Sequence, residues 1–178
     1  NNYDRAAIGN PRTPEIQFGI PLGLSYKGFD FSMLWQGSAL CSVQLSGPAV
    51  WDFPLYDQSR TGKVRKMHLN RWTPETAATA TYPALHYGIH NNNKQQYSSL
   101  FLYDASYIRL KNVEIGYTLP KAWTSKAGIQ SVRIYAQGQN LLTFDRLGDV
   151  DMDPEIKNGD GSWFPVQRVV NLGINMTF

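Results

Sequence analysis

Four acidic side chains, Asp149, Asp151, Asp153 and Glu155, stand at alternate positions just before Asn158-Gly159-Asp160-Gly161. Oxygen donors at that density suit a calcium ion. The spacing departs from an EF-hand loop, because Pro154 takes the place of the glycine that makes the sharp turn. A solvated acidic loop explains the same residues, so Asp149, Asp151 and Asp153 stand only as weak calcium candidates and no metal is expected. His86 and His90 have the spacing of a zinc-binding helix, but Gly88 lies between them and Tyr82-Pro83 and Asn91-Asn92-Asn93 flank them as loop signals. No Gly-x-Ser-x-Gly elbow, phosphate loop or dinucleotide fingerprint is present. The remaining carboxylates fall in loops or in the sequence words taken up below, and a glycosidase pair is recognised by its separation in space. The chain is therefore read as no enzyme, and no cofactor is expected.

Aromatic rings offer a different chemistry. Trp51, Tyr56, Trp72, Tyr82, Tyr87 and Tyr97 crowd one long segment. Such rings stack on sugars or anchor a partner protein. They also fold a loop of ~65 residues onto itself when it has no other core. Trp51, Tyr56, Trp72 and Tyr82 are the candidate ligand-binding residues.

These residues need a scaffold, and composition narrows it. The 178 residues carry 17% charged, 42% hydrophobic and 13% aromatic side chains. Such low charge, with Ser, Thr, Asn, Gln and Gly in its place, suits β-structure better than a helical bundle. The net charge of +3 is spread thinly apart from Lys63, Arg65 and Lys66, which argues against nucleic acid. Cys41 is the single cysteine, which excludes an internal disulfide. The longest stretch free of Asp, Glu, Lys and Arg, residues 31–51, is too polar for a membrane helix. Neither a starting Met nor a signal peptide opens the chain, and a fragment is expected.

Period-two alternation is the dominant pattern. Ile16, Phe18, Ile20, Leu22, Leu24 and Tyr26 alternate with Gln17, Gly19, Pro21, Gly23 and Ser25. After Lys27-Gly28, Phe29, Phe31, Met33 and Trp35 resume the pattern, as in a hairpin. Expected strands cover about 15–26, 29–40, 106–119, 131–142 and 165–178. In the third, the apolar phase switches between Leu110 and Val113, which predicts a bulge near Asn112. The runs exceed the ~5–6 residues of an ordinary strand and meet the ~9–11 that a tilted strand needs to cross a bilayer.

Connections alternate short and long, with long loops at about 41–105 and 143–164, as outer loops alternate with periplasmic turns in a membrane barrel. Tyr26, Phe29, Tyr117 and Phe178 fall on apolar faces at one end, where an interfacial girdle belongs. The fold class is thus all-β, a segment of an antiparallel transmembrane β-barrel, in contact with lipid on one face. Five strands do not close in hydrocarbon, so the rest of the barrel must come from elsewhere. The competing architecture is a secreted carbohydrate-binding β-sandwich, whose apolar face would be covered by a second sheet.

Several words of the sequence resemble the late strands of SusC-like (SusC/RagA) TonB-dependent outer-membrane transporters. They are Ile8-Gly9-Asn10-Pro11, Tyr26-Lys27-Gly28-Phe29-Asp30, Asn70-Arg71-Trp72-Thr73-Pro74-Glu75 and the run from Leu102-Tyr103-Asp104-Ala105-Ser106 to Leu119-Pro120. Gly138-Gln139-Asn140-Leu141-Leu142-Thr143, Asp153-Pro154-Glu155 and the ending Asn171 to Phe178 complete them. The resemblance implies the last five strands of a barrel of about 22 strands in a Gram-negative outer membrane. It further implies a plug absent from this chain, TonB acting through that missing region, and a SusD-like surface lipoprotein as partner. The cargo would be glycan oligomers or peptides, and Phe178 resembles the terminal aromatic read by the barrel-assembly machinery. Trp72 lies within one of these shared words, which favours packing over ligand contact for its ring.

Overall fold

The computed structural model describes residues 5–47, 64–85, 97–150, 152–156, 158–161 and 163–178. Trp51, Tyr56, His86, Tyr87, His90 and Asp151 lie outside the described residues. The chain divides into two units: a sheet unit of residues 15–39, 107–145 and 166–178, and a loop unit of residues 1–14, 40–106 and 146–165.

The sheet unit is one antiparallel sheet of five strands. They are β1 (Ile16–Tyr26), β2 (Phe29–Ala39), β5 (Tyr107–Thr118), β6 (Ser131–Asp145) and β7 (Val169–Thr177), hydrogen-bonded in that spatial order. Lys27 and Gly28 both have positive φ, 47° and 87°, the two-residue turn whose twist matches a hairpin. A four-residue helix α1 (Lys121–Thr124) and a 3₁₀ turn fill the link from β5 to β6. Gly128, at φ 70°, ends that turn in the left-handed conformation that glycine adopts without a Cβ clash.

Register places the alternating residues in rows. Leu24, Phe31, Ile115, Ala136 and Leu172 face one another across all five strands, as do Leu22, Met33, Val113, Gly138 and Val170. The pairing of β2 with β5 shifts between Leu34 and Trp35, and that of β5 with β6 shifts between Leu110 and Asn112. The bulge thus falls at Lys111, where β5 switches phase, so Leu110 and Ile108 rejoin the apolar face. β6 runs three residues beyond its expected end, because Leu142–Asp145 pair with Tyr107–Leu110 past the bulge. β7 begins four residues later than expected. Its last partner is Gln139, and Asn140 next to it turns left-handed at φ 53°, which breaks the ladder.

The loop unit has packing of its own among the described residues. Two short strands, β3 (Ser42–Gln44) and β4 (Leu102–Asp104), pair antiparallel. Leu45, Tyr82 and Phe101 form one buried cluster, with Met67 and Leu85 among the residues packed on it. Cys41, Val43, Ala105 and Leu147 form a second. The shared word at residues 70–75 is part of this frame. The Asn70 carbonyl accepts from the Thr81 and Tyr82 amides at 3.1 and 3.2 Å, and Thr73 and Thr76 cap each other's amides reciprocally. Phe101 is 1% exposed, so Phe101→Ala should destabilise the loop unit by about 3–5 kcal/mol. Limited proteolysis should then cut within residues 64–105 at denaturant concentrations that leave the sheet protected.

Asp104 ties down the end of β4. Burial pushes its carboxyl up, but bonds from the Ser106 side chain and amide and from Arg146 together hold it below the ordinary value of 3.8. The Ser106 amide donates to Oδ1 at 2.9 Å and Arg146 Nη1 to Oδ2 at 3.3 Å. Because the folded value is depressed, this contribution is present above pH 3.8 and lost as pH falls through the folded value. Melting of the loop unit should therefore lose stability below about pH 4, and Asp104→Asn should flatten that acid limb.

Candidate functional site

The two faces of the sheet differ in chemistry, and both bear on what it does. On the apolar face the side chains are uncovered: Leu24 is 69% exposed, Val170 71% and Leu172 83%. No second layer lies on these rows among the described residues, which sets aside the sandwich. Four residues expected at a girdle share this face at the end that holds the Lys27-Gly28 turn. Tyr26 and Phe29 pair in register, Phe29 pairs with Tyr117, and their two rings lie 4.4 Å apart. Phe178 follows β7 at the same end and is exposed. Trp123, 67% exposed on α1 between Lys121 and Lys126, joins this end and was not anticipated.

The polar face is more built than alternation suggests. Asp30 on β2, Glu114 on β5 and Arg133 on β6 converge there. Arg133 grips both carboxylates, with Nε donating to Asp30 Oδ1 at 3.0 Å and Nη2 donating to Glu114 Oε1 at 2.5 Å and to Asp30 Oδ2. The guanidinium also lies over the Tyr135 ring, 5.1 Å from its centroid. Two glycines make the room. A Cβ at Gly116 would overlap the Arg133 guanidinium, and one at Gly173 would overlap the Tyr135 ring. Further along the face, Arg109 is 2% exposed and its Nε donates to Thr143 Oγ1 at 2.9 Å. Asp30, Glu114 and Arg133 each sit at a polar-phase position. Their meeting depends on diagonal neighbours in register, which the sequence alone does not display.

Ligand candidates in the loop unit separate sharply. Tyr82 is 3% exposed, its ring packed on His68 and Phe101 at centroid distances of 4.5 and 5.9 Å. As a ligand-binding candidate it is corrected: its ring belongs to the loop core. Trp72 shows the reverse, with its amide fixed to the Tyr82 carbonyl at 2.7 Å and its side chain 47% exposed. Asp149 and Asp153 are described while Asp151 is not, and no group of three potential metal ligands occurs among the described residues. Asp153 Oδ1 accepts the Glu155 amide at 2.9 Å, a turn that accounts for the Asp-Pro-Glu word.

Arg133→Met would leave Asp30 and Glu114 side by side without their cation. The three side chains are partly exposed, so the variant should unfold at a lower denaturant concentration than the wild type. Unfolding in urea should show it, and Asp30→Asn in the same chain should recover part.

No protein-family model matches the chain. TonB-dependent receptor P3 of Formosa agariphila is 31% identical over 98% of this chain, and TonB-dependent receptor SusC of Bacteroides thetaiotaomicron is 25% identical over 92% of it. The chain spans only 17% and 15% of those relatives' lengths. Among solved structures, that of the RagAB peptide transporter aligns with a TM-score of 0.70 at 27% identity, over 96% of this chain and 18% of that one. The RagAB peptide importer in its closed-closed state aligns with a TM-score of 0.72 at 26% identity, with the same coverage. In sequence and in fold, this chain matches the C-terminal barrel portion of SusC-like TonB-dependent transporters.

Proposed function

We propose that the chain supplies the last five strands of an outer-membrane barrel, part of a TonB-dependent importer of glycan oligomers or peptides in a Gram-negative bacterium. The observation that carries this reading is the uncovered apolar face, continuous over five long strands whose reverse side bears Arg, Asp, Glu, Gln and Asn. Exposed apolar rows of that extent suit acyl chains, and the polar reverse suits a wet lumen. Among the described residues, β1 pairs only with β2 and β7 only with β6. In hydrocarbon an unpaired backbone group costs several kcal/mol, so in the barrel these edges pair with strands beyond this chain.

In this reading Phe178 lies on the periplasmic side, and strand parity then has the long connections 41–105 and 143–164 outside the cell and the Lys27-Gly28 turn in the periplasm. Tyr26, Phe29, Tyr117 and Phe178, with Trp123, then sit at the inner interface of the membrane, where aromatic rings anchor. The rest of the mechanism follows the family. Cargo binds between outer loops and plug beneath a SusD-like lipoprotein, and TonB pulls on the plug to open a path. Peptide cargo has the support that the related RagAB structures are of a peptide importer. The chemistry assigned to this chain is containment and transport, with no catalytic step.

Extraction from membranes should require detergent. In the complete transporter, Leu22→Arg, at mid-strand on the apolar face, should cost about 2–4 kcal/mol when unfolding is measured in lipid vesicles. Gln137→Arg on the polar face should change stability by no more than ~0.5 kcal/mol. Equal penalties at the two positions would remove the membrane assignment.

A further inference from the structure

The loop unit contains a cavity of about 340 Å³. Its walls follow from alternation along β3: Val43 and Leu45 enter the two buried clusters, while Ser42, Gln44 and Ser46 line the cavity. Ile8, Asn10 and Arg12 line it from the N-terminal segment. That segment is held by the Asn10 amide, which donates to Ser42 Oγ at 2.9 Å, and by the Pro11 carbonyl, which accepts the Ser42 amide at 3.1 Å. Gly159 closes another side. Its carbonyl accepts the Ser46 amide at 2.8 Å, and a Cβ at this position would run into the Gln44 backbone.

We propose that this cavity is a binding subsite for the end of a short oligosaccharide. The proposal rests on the importer reading and names where one class of cargo is first held. The lining supplies what a polyhydroxylated ring needs. Tyr97, 87% exposed, offers a face for stacking. Asn10 and Gln44 carry amides that both donate and accept, and Arg12 brings a planar set of donors. The Gln44 amide has little to lose by turning toward a ligand. Among the described residues its Nε2 reaches the Leu45 carbonyl, at 3.3 Å, and its Oε1 is buried without a partner. On the edge of β3 away from β4, the Ser42 and Ser46 amides are taken by the Pro11 and Gly159 carbonyls, and the single residue left between them, Gln44, is too short a stretch for an extended peptide to add as a strand. At about 340 Å³ the space lies at the small end of ligand cavities, so it holds a chain end.

Saturation-transfer NMR on the complete transporter in detergent tests this, with maltotriose, a β-1,3-glucan trisaccharide, a galacturonate trisaccharide and tri-alanine as probes. At least one trisaccharide should bind, and Tyr97→Ala and Gln44→Leu should each weaken it about ten-fold or more. Leu69→Ala, exposed in the same unit and off the cavity, should leave binding unchanged. Tyr97→Ala removes an exposed ring, so its effect cannot be put down to misfolding. Binding of no trisaccharide, binding that both cavity variants retain, or binding of tri-alanine alone would overturn the proposal. Failure of the importer reading would look different: the cavity would still bind, yet cells lacking the transporter would take up the bound trisaccharide at the wild-type rate.

Discussion

Strand register is the constraint on which the rest of the sheet depends. Side chains alternate with a period of two, so a slip of one residue would send every Leu, Ile and Phe of a strand to the opposite face. Here five strands are held in step, from Leu24 through Phe31, Ile115 and Ala136 to Leu172. One strand would break the rule without correction. β5 carries Ile108 and Leu110 in one phase and Val113, Ile115 and Tyr117 in the other. The bulge at Lys111 absorbs the odd residue and returns both sets to one face. The price is local: Asn140 on the neighbouring strand turns left-handed, and β7 stops pairing at that level.

The polar face helps to hold that register. Arg133 joins β6 to β5 and β2 through two carboxylates, and it fits because Gly116 leaves its row empty. Tyr135 lies over Gly173 in the same manner. A slip between these strands would take the guanidinium from its partners and push both large side chains into backbone. Ion pairing and steric fit therefore select the same alignment as the apolar rows, from the opposite side of the sheet.

In the loop unit, shared words that look like recognition signals do structural work at close range. Asn70 and Thr73 bind the turns around Trp72, Asp104 binds Ser106 and Arg146, and Asp153 binds Glu155. Gly9, at φ 67°, lets the N-terminal segment lie against Leu102, whose side chain a Cβ there would overlap. These bonds meet backbone groups that two short strands cannot satisfy. The exposed rings of Trp72 and Tyr97 are carried on this frame, while Tyr82 is consumed by it.

The sequence by itself determined the long strands, the Lys27-Gly28 hairpin, the two faces and the phase switch in the third run. Each is written in neighbours one to four residues apart, where backbone alternation and turn geometry act directly. Tertiary structure alone decided which polar residues meet and which aromatic rings stay open. Asp30 and Arg133 are 103 positions apart, and their contact exists only once three strands are in register. Tyr82 and Trp72 are alike in composition and setting. What parts them is that Leu45 and Phe101, from distant stretches of chain, close over one ring and leave the other in the open.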